Sequence, residues 1–369
     1  MVMPPIRIAS VGGKALSVPL RTPFVIASGR LEATRAVLVR VTVEDESGRR
    51  AQGLGEAAAL PPVTRDDQPE LLRVLAAAAM SFSGTIFAGL GDLDAELTRM
   101  LPDAPAARAG IETAALDAWA RLAGVSLARA LGGPEGELPS LWTDITLSIS
   151  APAEMAATAV AHRADGFTCF KVKVGRDWQR DRDALREVAR AVPDATFRID
   201  ANAGFSAADA LALLDDVLGA GLKVECFEQP CRADDWAGMA AVTAAAPVPV
   251  VADESFRGGE DLERILTTRA ATGVNLKLAK LGGPLAAVAL GRRARDAGLQ
   301  LMAGAMVETR VGLLAMAHVV AALGGVSWVD LDTAFLLAAD PFQGGWRTNG
   351  PALTLEGGGG LATDELPAT

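Results

Sequence analysis

The chain has 369 residues, half of them hydrophobic, and 35 Lys and Arg against 45 Asp and Glu give a formal net charge of −10. This composition excludes a disordered chain and predicts one large α/β domain, or a barrel with a smaller domain. The acidic balance argues against nucleic acid as a partner, because phosphate binding needs a clustered basic surface.

Cysteine and histidine are both scarce. The three cysteines, Cys169, Cys226 and Cys231, lack metal-ligand spacing and suit a reducing cytoplasm better than a disulfide framework. The N-terminus lacks a signal-peptide pattern, so we expect a cytoplasmic protein. With two histidines and no tyrosine, any proton chemistry must rest mainly on carboxylates and lysines.

Residues 1–131 are predicted to form an α+β capping domain. Residues 36–43 alternate valine with polar residues, as strands do, and a turn signal follows. Residues 68–124 are alanine-rich and helical in pattern, and residues 106–131 are predicted as one long helix that ends at a Gly-Gly-Pro sequence. We place a domain boundary there and expect residues 345–369 to return to the capping domain.

Residues 132–344 contain strand-like runs at a regular interval. Eight runs start 24 to 27 residues apart, at residues 143–146, 170–174, 197–202, 224–228, 248–253, 274–278, 301–306 and 328–332. Each gap holds one helical pattern, which predicts a TIM-like parallel barrel of seven or eight strand–helix units. A doubly wound open sheet is the alternative. The uncharged residues 311–329 are interpreted as a buried helix followed by a strand and not as a membrane span.

Three consecutive predicted strands end in a carboxylate: Asp200, Glu228 and Asp253. Such residues converge at the mouth of a barrel and would repel one another without a cation. Oxygen ligands suit Mg²⁺, or Mn²⁺, and zinc is not expected because no His or Cys cluster accompanies them. Asn202 and Glu254 lie beside these acids. Helix capping or salt bridges are the structural alternative.

Lysines occur on both sides of this group. Lys171 and Lys173 share one face of strand 2, and Lys277 ends strand 6, on the opposite side of the barrel. An outward, solvated position is the alternative for each. If Lys171 and Lys173 point inward, their repulsion should lower the pKa of one of them, and a neutral lysine is a competent general base. Lysines on two faces of one carbon are what stereoinversion next to a carboxylate requires.

Strand 8 ends in Asp330 and Asp332, which share a face and lie away from the predicted metal strands. A pair of carboxylates without a metal calls for a cation, such as a substrate ammonium. Capping of the last barrel helix is the alternative.

Together these motifs resemble the enolase superfamily, in particular the muconate lactonizing enzyme subgroup, over nearly the whole chain. The resemblance implies that Asp200, Glu228 and Asp253 bind Mg²⁺. It also implies that Lys173 and Lys277 are the acid/base pair and that Lys171 helps to bind substrate. The histidine-dependent branch is not matched, because His162 and His318 are placed unsuitably and are expected to be packing residues.

Strand 8, together with the Met-x-Glu-Thr segment that contains Met306 and Glu308, resembles the dipeptide epimerases. In that family the aspartate pair holds the α-ammonium of the dipeptide. The resemblance therefore implies a small-molecule dipeptide substrate whose second α-carbon is inverted by a 1,1-proton transfer through an enediolate. Met306 and Glu308 would then contact substrate. We also expect a homo-oligomer and no membrane partner.

The loop at residues 21–30 departs from the Ala-Glu-specific members, which carry an arginine that pairs with the substrate glutamate. Here Ser28 or Gly29 occupies that place, with Arg30 next to it and Arg21 near the start of the loop. We expect Ser28, Arg30 and Arg21 to lie near the substrate, and the departure does not favour Ala-Glu.

Other functions of the same scaffold remain open: N-acylamino acid racemase, o-succinylbenzoate synthase and muconate cycloisomerase. Their substrates lack a free ammonium for Asp330 and Asp332. A sugar-acid dehydratase lacks its usual histidine, and a non-catalytic binding protein would have to keep three acids and two lysines together without using them.

Overall fold

The computed structural model describes residues 3–27, 29–61 and 63–367, and it begins with an antiparallel sheet of order β5-β4-β1-β6 that packs on a long helix. The elements of this first part are β1 (Ile6–Leu16), β2 (Pro19–Ile26), β3 (Gly29–Ala33), β4 (Ala36–Asp45), β5 (Arg50–Ala58), α1 (Gln68–Phe82), β6 (Ile86–Phe87), α2 (Leu90–Met100), α3 (Pro105–Ala123) and α4 (Leu127–Ala130). Helix α3 approaches β5 so closely that a Cβ at Gly55 would collide with the Gly110 carbonyl oxygen.

The single helix predicted over residues 106–131 is wrong. Helix α3 ends at Gly124, which adopts a left-handed conformation with φ of 68°, and α4 begins separately after the Ser126 cap. A glycine takes this conformation without steric cost, so it ends the helix in spite of the helical pattern on both sides.

The second part is a nearly closed parallel barrel with the strand order β15-β14-β13-β12-β11-β10-β9-β8. Its elements, with a preceding strand β7 (Ser140–Trp142), are β8 (Ile145–Leu147), α5 (Pro152–Ala164), β9 (Cys169–Lys173), α6 (Trp178–Ala191), β10 (Thr196–Asp200), α7 (Ala207–Gly219), β11 (Val224–Glu228), α8 (Trp236–Ala245), β12 (Val250–Ala252), α9 (Gly259–Thr268), β13 (Gly273–Leu276), α10 (Leu278–Leu281), α11 (Pro284–Asp296), β14 (Gln300–Gly304), α12 (Arg310–Leu323) and β15 (Trp328–Asp330). Each predicted strand overlaps an observed one. The Asp144 amide donates to the Val329 carbonyl across the first and last strands at 3.3 Å. The barrel prediction is confirmed.

The uncharged residues 311–329 form helix α12 and strand β15, as predicted. Every helix in the described ranges is too short or too polar to cross a bilayer.

The C-terminal residues contact the first part of the chain. Their elements are α13 (Thr333–Leu336), β16 (Phe342–Gly344), β17 (Trp346–Asn349), β18 (Ala352–Leu355) and β19 (Thr363–Glu365). The Leu361 amide donates to Asp117 of α3 at 2.7 Å, and β18 also pairs with β7. The domain limits at residues 131 and 344 stay a prediction.

Candidate active site

The carboxyl ends of the strands bring the predicted functional residues to one mouth of the barrel. Lys173 pairs in register with Asp200, and Asp200 with Glu228. Asp253 directly follows β12, and Lys277 directly follows β13. Strands β9 and β13 are four positions apart in the eight-stranded sheet, so the two lysines come from opposite sides.

The three acids are buried, at most 1% exposed, and meet lysines. Lys171 Nζ lies 3.1 Å from Asp200 Oδ2 and 2.6 Å from Glu228 Oε2. Lys277 Nζ lies 2.8 Å from Asp253 Oδ2. Burial by itself raises the pKa of Asp200 and of Asp253, but the neighbouring lysines outweigh burial and lower both. The structure therefore brings the predicted acids and lysines together.

Lys173 Nζ lies 2.6 Å from Asp200 Oδ2, and Lys171 and Lys173 are only 1% and 7% exposed, which excludes the outward, solvated pair. The expected lowering of a lysine pKa is wrong for Lys171. Burial lowers its pKa, but four surrounding acids raise it well above its usual value. Burial is likewise outweighed at Lys277, mainly by Asp253, and the pKa of Lys277 is raised. Opposite charges in direct contact exceed the repulsion between lysines.

Side chains to which the sequence pattern assigns no role hold these acids in place. Asn275 Nδ2 donates to Glu228 Oε1 at 2.7 Å, and Gln229 Oε1 accepts from the Asp253 amide at 2.8 Å. Lys280 Nζ donates to the Asp253 carboxylate and carbonyl. Lys280 lies in the short helix α10, which directly follows Lys277. The Glu-Gln-Pro sequence at residues 228–230 is the only pattern that could have indicated a role for Gln229.

The donor set fits a hard divalent cation. Asp200, Glu228 and Asp253 offer only oxygen atoms, and Glu228 Oε2 contacts the Lys171 ammonium. Asn202 Nδ2 donates to Glu254 Oε1 at 3.3 Å beside them. Burial, followed by Asp253, raises the pKa of Glu254 to about 7. Such oxygen sites prefer Mg²⁺ or Mn²⁺.

A second group of buried acids lies nearby. Asp144, Asp330 and Asp332 bring ligand oxygens within 4.8 Å of one another. Arg198 Nη1 lies 2.8 Å from Asp144 Oδ2, and Lys171 Nζ lies 2.6 Å from Asp330 Oδ2. Protein cations contact both groups of acids, and Lys171 is common to the two. The strand-8 acids are thus nearer to the predicted metal ligands than expected.

Asp332 differs from Asp330 in its partner, which is a backbone amide and not a lysine. Its Oδ2 accepts from the Thr146 amide at 2.6 Å, and burial, followed by Asp330, raises its pKa to about 6. Both strand-8 acids line the same cavity as Lys173 and Lys277.

The arginines predicted to contact substrate point elsewhere. Arg21 Nε donates to the Leu337 carbonyl at 2.9 Å, and Arg30 pairs with Glu32 at 3.2 Å with 59% of its side chain exposed. Neither lines the cavity. Arg21 meets a backbone acceptor and Arg30 a nearby acid, and their contact with substrate stays a prediction. Ser28 lies outside the described residues.

Met306 lines the cavity, but Glu308 does not, and their contact with substrate stays a prediction. The Glu308 carboxylate turns back to accept from the Met306 amide at 3.0 Å. Beside it, Glu56 of β5 accepts from the amide and hydroxyl of Thr309, at the start of α12. No pattern in the sequence indicates this contact between the first part of the chain and the barrel. His318 is buried and accepts from the Ala128 amide, as a packing residue would.

Carboxylates on successive strands of a nearly closed barrel, with lysines on opposite sides, are typical of an enzyme active site. Comparisons with known families identify the class of enzymes. Residues 154–364 match the family described as "Enolase C-terminal domain-like". Residues 11–132 match "Mandelate racemase / muconate lactonizing enzyme, N-terminal domain". The chain belongs to the mandelate racemase / muconate lactonizing enzyme family of the enolase superfamily, which confirms the predicted family.

Its relatives include several named dipeptide epimerases. The chain is 36% identical to the L-Ala-D/L-amino acid epimerase of Populus trichocarpa, over 91% of this chain and 80% of that protein. The substrate-liganded L-Ala-D/L-Glu epimerase of Bacillus subtilis superposes with a TM-score of 0.92 at 32% identity, covering 98% of this chain and 100% of that one. The dipeptide epimerase of Enterococcus faecalis, complexed with Mg and L-Leu-L-Tyr, gives 0.88 at 29% identity, covering 97% and 100%.

Proposed function

We propose that this protein is a Mg²⁺-dependent dipeptide epimerase, an isomerase that inverts the α-carbon of the C-terminal residue of an L,L-dipeptide. The central observation is that Lys173 and Lys277 reach one buried group of acids from opposite sides of the barrel. Asp330 and Asp332 face the same cavity. The named dipeptide epimerases among the relatives support the proposal.

In this proposal Asp200, Glu228 and Asp253 hold the metal ion. When bound, Mg²⁺ would neutralise these acids and the negative charge that develops on the substrate carboxylate. Lys173 removes the α-proton from one face, and the electron pair of the C–H bond moves into the adjacent carboxylate. Lys277 then donates a proton to the opposite face, and the roles reverse for the other stereoisomer.

Asp330 and Asp332 would accept hydrogen bonds from the substrate α-ammonium. This contact would fix the distance between the amino end of the dipeptide and the α-carbon between the lysines. An N-acylated substrate cannot make it, which separates this proposal from an N-acylamino acid racemase.

The test is a dipeptide library incubated with the enzyme and Mg²⁺ in D₂O and followed by NMR. Exchange of the second α-proton with appearance of the epimer is the expected result. Absence of exchange for every dipeptide would overturn the proposal, as would faster exchange of the N-acetylated forms.

A further inference from the structure

One wall of the candidate active-site cavity is apolar. It is formed by side chains from three segments of the chain: Phe24, Ile26, Leu60, Val63, Met306 and Val307. Phe24 and Ile26 of β2 are 8% and 5% exposed, and they pack with Val307 and Leu337 in one apolar cluster. The wall is therefore fixed by packing of the β2–β3 hairpin on the barrel.

This wall lies beside the lysine proposed to remove the α-proton. The Phe24 ring centroid is 5.9 Å from Lys173 Nζ. A side chain on the carbon between Lys173 and Lys277 would therefore extend along the apolar surface, since the acids occupy the barrel side of the cavity.

Charged groups that could receive an ionised substrate side chain are already engaged. Among the described residues, the cations that line the cavity are Lys173 and Lys277, and both contact acids. Arg21 donates to the Leu337 carbonyl, and Arg30 lies outside the cavity with 59% of its side chain exposed. A substrate carboxylate against this wall would lose water without gaining a cation, which is unfavourable.

A cationic substrate side chain is disfavoured for a similar reason, because acids of the cavity already have partners. The acids that line the cavity are Asp253, Asp330 and Asp332. Asp253 pairs with Lys277 and Asp330 with Lys171. A substrate cation would have to displace a lysine or compete with the substrate's own ammonium.

We infer that the residue inverted by this enzyme carries an uncharged, apolar side chain, held against the wall formed by Phe24 and Ile26. The inference rests on the proposed function and names its substrate class.

The test compares L-Ala-L-Met with L-Ala-L-Glu, whose second side chains are similar in length and differ in charge. With Mg²⁺ in D₂O, we expect kcat/KM for exchange of the second α-proton to be about 100-fold higher for L-Ala-L-Met. Equal or faster exchange of L-Ala-L-Glu would overturn this inference and leave the epimerase proposal intact. Failure of every dipeptide to exchange would instead overturn the epimerase proposal and this inference with it.

Ile26→Arg places a guanidinium in the wall. We expect it to shift the ratio of the two kcat/KM values by at least about tenfold towards L-Ala-L-Glu. The control is Ile86→Arg, at a position on β6 that is 68% exposed and outside the cavity, where the ratio should not change. If Ile26→Arg does not fold, Val63→Arg tests the same wall at a half-buried position. An unchanged ratio in the folded variant would contradict the inference.

Discussion

Lys171 Nζ lies 2.6 Å from Asp330 Oδ2, so a lysine of β9 connects the acid of β15 to the predicted metal ligands. The same ammonium contacts Asp200 and Glu228, and the lysine is 1% exposed. The group proposed to bind the substrate ammonium and the group proposed to bind the metal therefore share one cation.

Replacement of this cation should destabilise the protein. Lys171→Met leaves three buried acids without their shared partner, and we expect the metal-free variant to lose about 3–5 kcal/mol of unfolding free energy. Because Mg²⁺ would supply the missing charge, saturating Mg²⁺ should restore part of the loss. Denaturant unfolding with and without Mg²⁺ measures both effects, and Lys14→Met at an exposed position is the control. Wild-type stability in the variant would show that these contacts contribute little.

Asp332→Asn should weaken binding of substrates with a free ammonium. Asparagine can still accept the hydrogen bond from the Thr146 amide, so the local fold should persist. Loss of the negative charge should lower kcat/KM for a dipeptide about 10–100-fold, the range of a hydrogen bond to a charged group. Calorimetric Mg²⁺ affinity is the internal control. An equal loss of Mg²⁺ affinity would assign Asp332 to the metal site.

Lys173→Ala and Lys277→Ala should each stop epimerisation, with a loss of at least about 10²–10⁴-fold, the usual contribution of a general acid or base. Each lysine serves one face of the α-carbon in our proposal. One variant should therefore still exchange the α-proton of a single stereoisomer in D₂O, without forming the epimer. Epimerisation by either variant at the wild-type rate would rule out the two-lysine mechanism.

Removal of the metal should abolish activity and leave the fold intact. Chelation with EDTA is expected to stop exchange, and Mg²⁺ or Mn²⁺ should restore it. Asp200→Asn and Asp253→Asn should lose calorimetric Mg²⁺ binding. Asp103→Asn, whose side chain is 84% exposed in wild type, should bind Mg²⁺ normally. Full activity of the chelated enzyme would exclude a metal requirement.

Glu112 should make stability depend on pH. This buried residue of α3 accepts from the Leu285 amide of α11 at 2.7 Å, and burial raises its pKa from 4.5 to about 8. The folded protein therefore keeps a proton that the unfolded chain loses, and its contribution to stability falls as the pH rises from about 5 to about 8.

Glu112→Gln keeps the acceptor and removes the titration. Its unfolding free energy relative to wild type should therefore increase as the pH rises from 5 to 8. Glu46→Gln, at an exposed position, should show no such trend. A constant difference between Glu112→Gln and wild type across this range would contradict the raised pKa.

The sequence predicted the barrel, the family and the candidate acid and lysine set, because each depends on local pattern. Strand-like runs recur at a fixed spacing, and Asp200, Glu228, Asp253, Lys173 and Lys277 occupy their carboxyl ends. Parallel closure carries such residues to one mouth whatever the details of packing.

Tertiary structure alone decided what each charge contacts and how the cavity wall is built. The Lys171–Asp330 pair, the Glu56 contact with α12 and the Arg21 contact with the Leu337 carbonyl join residues far apart in the chain. The direction of a long side chain, and hence the sign of a pKa shift, follows from three-dimensional contacts that no spacing along the chain encodes. The same reason applies to the wall, where Phe24 meets Val307 only after the hairpin packs on the barrel.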